Sequence, residues 1–180
     1  MAGLRVDEKD LRRELTDFEE RYPKLADDQL FVLWFLRAFV IEDDDQAANA
    51  LVGGPRDKGV DAVLIDERAK VVFLVQGKYR QDLNGKTESR GDVLGFAQLA
   101  CQLLGVEEDF AGLTKDLDPA VCQQLRGARE RLKKRGYQLR LYYVTLGRCS
   151  EALRNEANRV VRRADGTASI EIYDGAQILL

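Results

Sequence analysis

One stretch constrains this chain more than any other: GGPRDKGVDAVLIDERAKVVFLVQGKYR, from Gly53 to Arg80. It holds two apolar runs, VDAVLI and KVVFLVQGK, joined by the charged segment Asp66-Glu67-Arg68-Ala69-Lys70. Two β-rich runs split by so short a polar segment predict a hairpin. Closing the hairpin brings the start of the first strand beside the end of the second. Asp61, Gln76 and Lys78 then meet at one end of a sheet. Gln76 and Lys78 are two positions apart, so they share one face. A carboxylate, an amide oxygen and an ammonium converging there suit a hard cation and an anionic phosphate.

Composition narrows the chemistry further. The chain has 180 residues, 45% of them hydrophobic and 33% charged, and reads as one soluble globular domain. Residues 1–50 carry the predicted N-terminal helices, and residues 51–180 the hairpin and α/β core. There is no histidine. Ser-His-Asp, Cys-His and His-metal chemistry are therefore excluded. What remains is carboxylate, amide, lysine and metal chemistry, with oxygen ligands suiting Mg²⁺ or Mn²⁺. Cys101, Cys122 and Cys149 are scattered and odd in number, as expected of reduced thiols in a cytoplasmic protein. The longest apolar run, Leu30 to Ile41, is interrupted by Arg37 and falls short of the about 20 residues that span a bilayer. Net charge is −3, but it is uneven: residues 1–50 hold seven basic and thirteen acidic side chains, the remainder twenty-one and eighteen. A local basic face is compatible with phosphate contacts.

Periodicity predicts the order of elements. Val6–Tyr22 reads as an amphipathic helix ended by Pro23. A second helix, capped by Asp27 or Asp28 and running to about Ile41, is apolar nearly all round and should be buried. Ala47 to Val52 fits either a short strand or a helical turn. After the hairpin comes a polar loop with Asn84-Gly85. Asp92–Leu104 follows as a helix ended by Gly105, then an irregular or weakly helical Val106–Asp118. The rest reads as a helix Pro119–Arg135 closed by Gly136, a strand Leu139–Leu146, a helix from Glu151 capped by Ser150, and a strand Ser169–Tyr173. This order implies an α/β fold with a mixed sheet flanked by helices.

The Asp at the head of one strand and the QxK at the tail of the next resemble the PD-(D/E)xK nuclease superfamily in its QxK variant. GGPRDKGVD is similar to the Gly-rich lead-in of Mrr-like restriction nucleases. VQGKYR is most similar to the N-terminal domain of abortive-infection phage-resistance (AIPR) proteins. The resemblance implies a restriction-endonuclease-like fold and Mg²⁺- or Mn²⁺-dependent cleavage of DNA in phage defence. It also implies a longer parent protein of which this chain is an N-terminal part. DNA against RNA, and monomer against homodimer, stay open.

By that resemblance Asp61 and Gln76 hold the metal, with the backbone carbonyl of Gly77 as a further ligand. Lys78 positions the attacking water or steadies charge on the phosphate. The family's helix acid is missing at Phe31-Val32, leaving Asp28 as the first choice and Glu42 as the second. Asp57 belongs to the Gly-rich turn, as a turn former or a support. Gln98 resembles a supporting glutamine that faces the site. Arg80, Lys86 and Arg90 are candidate phosphate contacts. The basic stretches Arg126–Arg135 and Arg154–Arg163 read as solvated helix faces. Two alternatives stand beside cleavage. One is a catalytically weak or inactive nuclease-fold domain that binds nucleic acid or serves as a scaffold. The other is an oligomerisation module built on the apolar Leu30–Phe39 helix.

Overall fold

The computed structural model describes residues 5–53, 58–81 and 85–179. Helices α1 (Glu8–Arg21), α2 (Asp27–Phe39) and α3 (Asp44–Asn49) come first. The hairpin β1 (Ala62–Asp66) and β2 (Val71–Lys78) follows. Three helices, α4 (Arg90–Leu104), α5 (Glu107–Thr114) and α6 (Pro119–Leu132), then lead to β3 (Gln138–Thr145). Helix α7 (Glu151–Ala164), β4 (Ser169–Tyr173) and the short α8 (Gly175–Ile178) complete the chain. The sheet runs β1-β2-β3-β4. β1 is antiparallel to β2, and β2, β3 and β4 are parallel to one another. The fold is thus mixed α/β, an open sheet with helices on both faces.

Strand alternation divides the core. Val63, Val72, Leu74, Leu139, Leu141, Tyr143, Ile170 and Ile172 face one way and pack with α4, α5, α6 and α7. Ala62, Val75 and Val144 face the other way and pack with α1 and α2. Helix α2 is apolar all round because it is covered all round. Leu30 to Leu36 are buried without a break, between the sheet, α1 and α3. That burial uses the apolar helix inside the chain and leaves no face of Leu30–Leu36 for an oligomer.

Several local expectations change. The N-cap of α2 is Ala26, whose N–H donates to Gln29 Oε1, because Asp28 is engaged elsewhere. Ala47 to Val52 divides between the two alternatives, the end of helix α3 and an isolated bridge from Leu51 to Ala62. The Val106–Asp118 segment contains a full helix, α5, held by a basic side chain from α6. Arg129 is buried, donates to the carbonyls of Leu103 and Gly105 at 2.6 and 3.0 Å, and stacks over Phe110. It is therefore no solvated face but a clip closing the end of α4 onto α5. Arg154 is likewise drawn inward, onto Asp174 at 2.6 Å.

Candidate functional site

The β1–β2 register ends with Ala62 opposite Val75, so the next position outward sets Asp61 beside Gln76. Asp61 is held there by its backbone on both sides. Its N–H donates to Val75 O and its carbonyl accepts from Val52 N, both at 2.9 Å. Its carboxylate is oriented by β2 itself, since the Gly77 N–H donates to Asp61 Oδ2 at 2.8 Å. On β3, Tyr143 lies beside Gln76 and Thr145 beside Lys78. Asp61, Gln76 and Lys78 therefore stand at one end of the sheet, on the face covered by α4 and α7.

Gln76 is only 5% exposed, and its Oε1 has no hydrogen-bond partner among the described residues. A buried carbonyl without a donor costs about 1–3 kcal/mol, so it stands out in a native interior. Its other neighbour is Gly59, in the left-handed region at φ 81°. A Cβ on Gly59 would sit 2.7 Å from Gln76 Nε2, so no side chain fits there. Gly53 borders Asp61 in the same way, with 3.1 Å from a Cβ position to Asp61 Oδ1. Gly53 and Gly59 thus each border one of the two oxygen-bearing side chains. Asp57 lies outside the described residues.

Gly77 is fixed by packing. A Cβ there would meet Val32 Cγ2 at 2.4 Å, so α2 lies directly on the strand. Lys78 O accepts from Leu146 N just past β3, so strand alternation turns the N–H and C=O of Gly77 toward the β1 side, where Asp61 is. Lys78 is half-buried, and its ammonium makes no hydrogen bond or ion pair among the described residues.

The remaining expected residues separate. Asp28 comes close to the site, but its Oδ1 accepts the Tyr79 N–H at 2.5 Å, tying the start of α2 to the end of β2. Glu42 is exposed beyond the other end of α2, about 20 Å away along a helix of this length. Gln98 is exposed, while Val93, Phe96, Ala97 and Ala100 form the buried side of α4. It faces away from the site because α4 meets the sheet through those apolar residues. Arg80 is held by Glu88 through Nε at 3.2 Å and Nη2 at 2.9 Å. Arg90 is paired with Glu156 of α7. Of the three expected phosphate contacts, only Lys86 is exposed and unpaired among the described residues.

Glu88 is the residue that sequence reasoning missed. It is 3% exposed, in the loop before α4. It accepts from Thr145 Oγ1 at 2.7 Å, Tyr143 Oη at 2.9 Å and Arg80. Burial pushes its carboxyl up, but the hydrogen bonds from Arg80, Thr145 and Tyr143 outweigh that and hold it below the ordinary glutamate range. Tyr143 is held well above the ordinary phenol range, by burial first and then by the adjacent Glu88, so it remains a donor. A signal for Glu88 was present in β3. Leu139, Leu141, Tyr143 and Thr145 share a face, and two hydroxyls at the buried end of that row require an acceptor.

The donor set around Asp61 is hard oxygen throughout: one carboxylate, the unmatched Gln76 Oε1 and the Gly77 carbonyl. Such donors fit a hard divalent cation that keeps several waters. Among the described residues, no group of three Asp, Glu, His or Cys side chains comes together to hold a metal. The cation site that these residues fit is therefore a sparse one. No helix of the described residues is long and apolar enough to cross a membrane. In comparisons with protein-family models, curated proteins and solved structures, the chain matches none.

Proposed function

We propose that this chain is a metal-dependent phosphodiesterase domain that hydrolyses DNA, with a restriction-endonuclease-like arrangement of its hairpin. The observation that carries the reading is the buried Gln76 Oε1 beside Asp61, with Lys78 two positions on, both without a partner among the described residues. A fold keeps an acceptor in that state at a cost, and a ligand supplies the missing partner. Asp61, Gln76 Oε1 and the Gly77 carbonyl would hold Mg²⁺ or Mn²⁺. When bound, such an ion supplies Lewis acidity toward the phosphate and lowers the pKa of a water. The Gly77 N–H fixes the orientation of Asp61. Lys78, with no partner among the described residues, would place its positive charge against a phosphate oxygen where negative charge builds up. The choice of DNA and a role in phage defence rest on the likeness of GGPRDKGVD and VQGKYR to Mrr-like and AIPR sequences.

The test is cleavage of plasmid DNA with Mg²⁺ or Mn²⁺, and with EDTA. Asp61→Asn keeps an acceptor for the Gly77 N–H while removing the charge. It should lower the cleavage rate at least about 100-fold, with the melting temperature little changed. Cleavage that persists in EDTA, or full activity in the variant, would overturn the mechanism.

A second reading is a nuclease-fold domain that binds nucleic acid without cutting it. The sparse acid count favours it, since Asp61 belongs to no group of three acidic side chains among the described residues. A metal-dependent rise in melting temperature with no cleavage of DNA or RNA would select it.

A further inference from the structure

Two of the basic residues that follow the hairpin, Arg80 and Arg90, are already paired with Glu88 and Glu156. Unpaired cations gather elsewhere at the same end of the sheet. Thr87 and Arg148 form an isolated parallel bridge, and the Arg148 N–H donates to Lys86 O at 2.9 Å. This sets Lys86 and Arg148 on adjoining backbone, just past the Lys78–Thr145 pair. Arg148 also lines a cavity of about 310 Å³ with Arg5, Gly147, Gly175 and Leu179. Arg5 is brought there by the bridge between Val6 and Leu179. Among the described residues, no acidic side chain lines this cavity. Arg5, Lys86 and Arg148 are all exposed, and none has a side-chain hydrogen bond or ion pair among the described residues.

In a chain of net charge −3, three cations on one rim with no partner among the described residues are a local exception. From this placement we infer that Arg5, Lys86 and Arg148 form a phosphate-binding track that takes the backbone of a nucleic acid and leads it to Lys78. The inference rests on the hydrolytic reading for its direction and on the charge pattern for its location. Contacts of this kind position a duplex without reading its sequence.

The competing basic surface is the outer side of α7, where Arg159 and Arg162 flank Asn155 and Asn158 in an open groove. Binding of a labelled DNA duplex, followed by fluorescence anisotropy across a salt series in EDTA, separates the two. The triple variant Arg5→Gln/Lys86→Gln/Arg148→Gln should weaken binding at least about 10-fold. It should also flatten the log–log salt slope by about two to three, because fewer counterions are released. Arg159→Gln/Arg162→Gln should stay within about twofold of the wild type. Substituting lysine for Arg5 and Arg148 should restore most of the affinity. The exposure of all three positions predicts unchanged circular-dichroism melts. A triple variant that binds like the wild type overturns the inference. So does a larger loss in the α7 variant, or a wild-type chain that ignores DNA at low salt but takes up an acidic peptide. Cleavage is silent in EDTA, so the two proposals fail separately. A protein that binds through these residues and never cuts keeps the track and loses the hydrolysis. One that cuts and binds unaffected by the triple variant does the reverse.

Discussion

Gln76 and Glu88 are both buried at the same end of the sheet, both close to Tyr143, and they are treated in opposite ways. Glu88 accepts from Arg80, Tyr143 and Thr145, although it is a charge that the interior would otherwise reject. Gln76 is neutral, far cheaper to satisfy, and its Oε1 is left unmatched. The contrast separates a polar group that holds the fold from one that the fold keeps available. Glu88 ties the loop before α4 to the ends of β2 and β3, so its partners are all internal. Gln76 sits between Gly59 and Asp61, and its Oε1 has no hydrogen bond among the described residues.

Breaking the satisfied member should have the largest effect. Glu88→Ala leaves two buried hydroxyls without an acceptor and Arg80 without its counter-charge. It should cost about 3 kcal/mol in urea denaturation, toward the lower end for a buried pair because Arg80 is partly exposed. The carboxyl of Glu88 titrates below its ordinary 4.5 in the folded chain. Its contribution is therefore present above pH 4.5 and is lost as pH falls through the lower folded value. Glu88→Gln should flatten the fall in stability on that acid side. A variant that keeps the wild-type acid profile would show that Glu88 does not anchor this end of the sheet.

The unmatched member should respond in the other direction. Gln76→Met removes an orphaned acceptor at similar volume and should raise stability by about 1 kcal/mol. It should also abolish any stabilisation by Mn²⁺. If it destabilises instead, Gln76 Oε1 is satisfied in solution and the contrast with Glu88 falls. The smallest effect belongs to Asp28. Asp28→Asn keeps an acceptor for the Tyr79 N–H and loses only a charge at the start of α2, costing about 0.5 kcal/mol. An accompanying loss of Mn²⁺ response would move Asp28 into the metal shell. An unchanged response would leave it as the tie between α2 and β2.

How much of this was legible in the sequence depended on range. The hairpin, α7 with its Ser150 cap and β4 follow from local periodicity and turn chemistry, and they lie where the pattern puts them. Asp61, Gln76 and Lys78 were brought to one sheet end by the same local logic. What failed was set by partners distant in sequence. Asp28 looked like a helix cap, but Tyr79 engages it. Arg129 looked solvated, but the carbonyls of Leu103 and Gly105 draw it in. Gln98 resembled a supporting glutamine facing the site, but it is on the exposed side. Glu88 carries no local signature, because the hydroxyls that need it are on β3.

The parallel pairing of β2 with β3 sets an order of assembly. Asp61, Gln76 and Gly77 belong to one hairpin, and such contacts close in microseconds. The cationic rim requires Lys86, Arg148 and Arg5, which meet only after α4, α5 and α6 have been traversed and Val6 has reached Leu179. Contacts so far apart in sequence pay their loop-closure entropy late. On a ribosome, the oxygen-lined corner can therefore exist well before the surface that would deliver a polyanion to it. A nascent chain would pass through a state in which the hairpin corner is formed and the cationic rim is not yet assembled.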